Sequence, residues 1–154
     1  MRFRNALLAL PLLAVLQPAK TSESMMVGIP QDMRPAKLEK FFKAYQCPAP
    51  YYIDDYLRAA DAYAIDYRLL PAVSVRESTC GQYGEAVNNR WGWDSARTEF
   101  DSVESGIDFI ADRLSQSDYY QGKSTEQKLF TYNPNPRYVA EVKQLMREID
   151  EDGL

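Results

Sequence analysis

Leu70, Val73 and Glu77 recur at spacings that place all three on one face of a helix, with Glu77 at its end. A carboxyl group on an otherwise apolar face is partly desolvated, which disfavours its charged form and raises its pKa. Such a group keeps a proton to give near neutral pH, which is what a general acid needs. The competing reading is a solvated helix-end glutamate, or one neutralised by Arg76 or Arg90. Downstream, Asn88-Asn89-Arg90-Trp91-Gly92-Trp93 gathers groups suited to a sugar. Amides bond hydroxyl and N-acetyl groups, and indole rings lie against the apolar faces of sugar rings. Trp91 and Trp93 read alternatively as core anchors of a loop that Gly92 allows to turn tightly.

What the chain lacks narrows the chemistry. With no histidine among 154 residues, Ser-His-Asp and Cys-His catalysis are removed in their usual forms. A zinc site is disfavoured, since the remaining ligands would be carboxylates and two separated cysteines, so neither metal nor cofactor is expected. Net charge is −4, which argues against nucleic acid as a partner. Arg2 and Arg4 precede an unbroken apolar run from Ala6 to Leu16, the pattern of a secretory signal over residues 1–19. Its removal would leave about −6 and no stable membrane insertion; an uncleaved anchor is the alternative. Export would put Cys47 and Cys80, the only cysteines, in an oxidising compartment where a bridge is favoured over two free thiols.

The elements that must position these groups read as helices. Residues 20–34 show no sustained period and are expected to be a linker, with one domain over 35–154. Leu38, Phe41, Phe42 and Tyr45 form a first helical stripe, stopped by Cys47-Pro48-Ala49-Pro50. Tyr52, Tyr56, Leu57, Ala60, Tyr63 and Ala64 form a second. A third helix is expected from Arg68 to Thr79, with Pro71 in its first turn and Gly81 closing it. Residues 81–97 suggest an ordered loop or a short β-like excursion. Asp101 or Ser102 would cap a helix bearing Val103, Ile107, Ile110, Ala111 and Leu114. Ser124 with Gln127 resembles a capping box for a short helix through Phe130. Asn135-Pro136 would start the last helix, striped by Val139, Val142, Leu145, Met146 and Ile149.

The run from Asp66 to Gly81, ending Arg76-Glu77-Ser78-Thr79-Cys80-Gly81, resembles the catalytic helix of the lysozyme-like superfamily in its bacterial glucosaminidase and lytic transglycosylase branches. The resemblance continues in order through Asn88 to Trp93, a helix after Phe100, Tyr132-Asn133-Pro134 and Tyr138-Val139, covering roughly residues 51–149. It implies a mainly α fold, a lysozyme-like bundle around a central catalytic helix with an irregular groove loop. It implies Glu77 as the general acid and Tyr132 beside it, orienting the acid or bonding substrate; a buried packing tyrosine is the competing account. Asn88, Asn89, Trp91, Trp93, Asn133 and Tyr138 would bind the glycan. The Gly-Leu-Met-Gln-type stretch of the transglycosylases is absent, so the chain looks closer to the endo-β-N-acetylglucosaminidases.

The expectation is therefore an exported, monomeric glycosidase that cleaves β-1,4 bonds of peptidoglycan near N-acetylglucosamine. A catalytically silent wall-binding module, a lytic transglycosylase forming anhydro ends and a helical protein-binding module are the alternatives. Inversion would need a base and retention a nucleophile. Glu85, Asp94 and Glu99 are nearest the groove segment in sequence, and each also reads as a solvated loop charge.

Overall fold

The computed structural model of the chain describes residues 31–151. The expected signal over 1–19 and most of the expected linker lie outside them. The described residues hold six α-helices and no strand: α1 (Arg34–Ala44), α2 (Ile53–Ala62), α3 (Leu69–Ser78), α4 (Val103–Gln116), α5 (Thr125–Tyr132) and α6 (Pro136–Asp150). None is long and apolar enough to cross a membrane.

α3 is the helix the others cover. Leu69 to Val75 are buried without interruption, so this segment has no solvent face until its last turn. Pro71 is accommodated in the first turn, where its missing N–H removes no helical bond. α6 packs on α3, α5 and α1, and α2 packs on α1 and α4. Of the expected α6 stripe, Val139, Val142, Met146 and Ile149 are buried, each contributing about 1.5–3 kcal/mol, while Leu145 is only partly buried. Ser102 and Ser124 both cap their helices reciprocally, with Ser105 and Gln127 as the returning partners. Asn135 accepts from the Arg137 N–H at 3.0 Å and starts α6.

Three boundaries differ from expectation. α2 ends at Ala62, leaving Ala64 exposed at a φ of 50°. α5 runs two residues past Phe130, which makes Tyr132 its final residue. α3 is closed by Thr79 rather than Gly81, with Thr79 and Cys80 both at positive φ. That conformation is costly for a β-branched residue. The Thr79 and Cys80 N–H groups donate to Val75 and Ser74 at 3.0 Å, satisfying carbonyls the helix end would leave open.

Cys80 is bridged to Cys47, with Cα atoms 5.4 Å apart, tying the exit of α1 to the end of α3. The closed loop spans 33 positions, and removing it should cost about 3–4 kcal/mol by the chain-entropy estimate. A Cys47→Ala/Cys80→Ala protein is expected to unfold at lower urea with the slope little changed. An unchanged midpoint would show that the helix end holds without the bridge.

Candidate active site

Glu77 lies in the last turn of α3 and is exposed. Leu70 and Val73 face the core as the shared face predicts, but the last turn opens a solvent side at Arg76 and Glu77 while Ser78 stays buried. The expected desolvated position is therefore corrected: the carboxyl stands exposed at the lip of a cavity. The loop backbone touches it directly. A Cβ placed on Gly92 would sit 3.0 Å from Glu77 Oε2, and Gly92 has a φ of +63°. Only glycine meets both conditions.

The loop is held against α3 by its own side chains, which corrects three expected glycan ligands. Trp91 is fully buried; its Nε1 donates to the Leu70 carbonyl at 3.2 Å, and its ring meets Tyr56 and Phe100 edge-on. It cannot touch a glycan in the groove. Asn89 is buried; its Nδ2 donates to the Trp93 and Thr98 carbonyls, and its Oδ1 accepts from the Trp93 N–H at 3.0 Å. Both of its amide protons and one of the two lone pairs on its oxygen are spent on folding the loop. Asn88 donates to the Phe100 carbonyl at 2.9 Å and does not line the cavity at Glu77. Ser78, beside the acid, donates to the Arg90 carbonyl at 2.6 Å and accepts from the Gly81 N–H at 2.8 Å.

The cavity itself measures about 550 Å³ and is lined by Glu77, Gly92, Trp93, Asp94, Ser95, Thr98, Tyr120, Tyr132 and Asn133. Four expected residues thus meet there: Glu77, Trp93, Tyr132 and Asn133. Trp93 packs on Phe109, Tyr120 and Tyr132 with ring centroids 6.0, 6.3 and 5.7 Å away, forming one aromatic wall. Tyr120, Ser95 and Thr98 were not legible as site residues. Tyr120 arrives from the segment between α4 and α5, which no spacing signal connects to Glu77. Glu85 and Glu99 are exposed and lie outside the cavity, whereas Asp94 is on its rim.

Tyr132 donates to the Trp91 carbonyl at 2.5 Å, so its single proton is committed to the loop. Burial, and secondarily the Glu77 charge, hold its pKa well above that of an ordinary phenol. Tyr138 is corrected from glycan ligand to buried support: it is 2% exposed and its ring stacks on Tyr132. Its buried hydroxyl lies beside the Glu77 carboxyl without meeting strict hydrogen-bond geometry. Its pKa is raised by burial first and then by the neighbouring Glu77 charge.

The rim residues Asp94, Ser95 and Ala96 take φ values of 53°, 54° and 59° in succession. Each left-handed residue bearing a Cβ costs about 1–2 kcal/mol, and runs of them are rare. The turn is closed by the Ala96 N–H donating to the Gly92 and Trp93 carbonyls at 3.2 and 3.0 Å. Among the described residues no group of three or more Cys, Asp or Glu is placed to hold a metal ion.

No protein-family model, curated protein or solved structure matches this chain.

The two indoles should separate cleanly. Trp91→Ala is expected to cost about 3–5 kcal/mol in chemical unfolding, as truncation of a core tryptophan does. Trp93→Ala should melt closer to the parent, because Trp93 is only partly buried. Similar losses in both would place Trp93 in the core as well. Tyr138→Phe removes a buried hydroxyl that has no partner, so its stability should be equal or higher. A loss above about 1 kcal/mol would reveal a bond to Glu77 or to a trapped water.

Proposed function

We propose that this protein is an exported glycosidase that cleaves β-1,4 bonds of peptidoglycan beside N-acetylglucosamine, with Glu77 as the general acid. The observation that carries the proposal is the meeting of an exposed carboxyl, an aromatic wall and a polar rim in one cavity of about 550 Å³. That size and mix of surfaces suits a small ring-shaped ligand. Trp93, Tyr120 and Tyr132 present apolar area to a sugar face, while Asn133, Ser95 and Thr98 offer groups to its hydroxyl and N-acetyl substituents.

In this account Glu77 gives its proton to the oxygen of the departing sugar as the bond to the anomeric carbon lengthens. The transition state carries positive charge on the ring, and the carboxylate that remains stabilises it. A seated glycan displaces water from the open lip, so that attraction acts at a lower local dielectric than in the empty groove. Tyr132 acts by position: its hydroxyl fixes the Trp91 carbonyl, which keeps Gly92 against Glu77.

Glu77→Gln keeps the side-chain shape but has no proton of suitable acidity. Clearance of purified cell wall should fall by at least about 10²- to 10⁴-fold. Sedimentation with insoluble wall and the melting temperature should stay near those of the parent. Clearance that survives the change would remove Glu77 from the mechanism. Binding without clearance by either protein, on several wall types, would make the chain a silent wall-binding module.

A further inference from the structure

The cavity rim answers a question the acid alone leaves open: what activates water. Of the residues lining the cavity, only Glu77 and Asp94 are carboxylates. Asp94 opens the left-handed turn over residues 94–96, a strained arrangement held by bonds back to the Gly92 and Trp93 carbonyls. Arg97 grips the same residue twice. Its guanidinium pairs with the Asp94 carboxylate, and its Nε donates to the Asp94 carbonyl at 3.0 Å. The turn's backbone bonds keep Asp94 at the cavity rim, and the exposed Arg97 pair adds a small preference to its orientation.

We propose that Asp94 is the second carboxylate of the reaction, the base that activates the attacking water. The proposal rests on the glycosidase reading above. Asp94 and Glu77 line the same cavity, and the Gly92 backbone that lies against Glu77 Oε2 is two residues from Asp94. An inverting enzyme needs its two carboxyls about 6.5–9.5 Å apart, so that a sugar and a water fit between them. In the step, the bond between the anomeric carbon and the bridging oxygen breaks as Glu77 protonates that oxygen. The water oxygen bonds to the same carbon from the opposite face, and its proton passes to Asp94. One water is consumed, the product anomer is inverted, and solvent returns the proton from Asp94 to Glu77.

The test pairs two variants in the full exported protein, assayed on purified peptidoglycan. Asp94→Asn keeps a residue type that tolerates the left-handed region, so it should fold and bind wall like the parent. It should lose cleavage about 10²- to 10⁴-fold. Glu99→Gln removes an exposed loop carboxylate that lies outside the cavity and should retain cleavage. The first-formed product of the parent, followed by nuclear magnetic resonance, should be the α anomer. Parent-like cleavage by Asp94→Asn, equal loss in Glu99→Gln, or a first-formed β anomer would overturn the role of Asp94 while leaving the glycosidase reading intact. A parent that cleaves no wall would overturn that reading and this one with it.

Discussion

The Trp91 indole donates to the Leu70 carbonyl, and the Trp91 carbonyl accepts from the Tyr132 hydroxyl. One residue thereby joins the first turn of α3, the loop that follows the helix and the end of α5. Everything at the site depends on that joint. It sets the depth at which the loop crosses α3, which lets Gly92 lie against the Glu77 carboxyl and sends Trp93 outward to the cavity wall. Close packing makes the joint unforgiving. A Cβ on Gly106 of α4 would come within 2.8 Å of the Trp91 ring, so α4 too is spaced by this side chain.

The polar residues around Trp91 do similar work, which explains why a stretch rich in groups that could hold a sugar supplies few of them. Asn89 spends its amide inside the loop, Asn88 spends its own on the Phe100 carbonyl, and Ser78 ties Arg90 to the end of α3. A loop with neither helix nor strand must satisfy its backbone groups by side chains once it is buried. The site is correspondingly spare. It has one acid in the last turn of a buried helix, one aromatic wall, and a rim made of the strained turn that begins at Asp94.

The helices were legible because their signals are local. Ser102, Ser124 and Asn135 cap where their side chains can reach the first free N–H groups, and the stripes of α4 and α6 bury as their spacing predicts, Leu145 alone being only partly buried. The site was legible in part. Glu77, Trp93, Tyr132 and Asn133 come together, whereas Trp91, Asn88, Asn89 and Tyr138 serve the scaffold. Residue type cannot separate the two indoles, since an aromatic ring beside a glycine suits a groove and a core equally. Their roles are set by which way the chain turns at Gly92, and that turn depends on contacts with α3 and α5. Tyr120 was hidden for the same reason, and so was the exposure of Glu77, which depends on where α3 leaves the core.

The central claim is that this cavity hydrolyses a glycosidic bond with Glu77 as the proton donor. Mass spectrometry of the fragments released from purified peptidoglycan tests it most directly, because hydrolysis adds one water that an internal anhydro ring does not. The account predicts fragments ending in reducing N-acetylglucosamine, each carrying that water. Fragments ending in anhydro sugars, or no release of fragments at all, would contradict it.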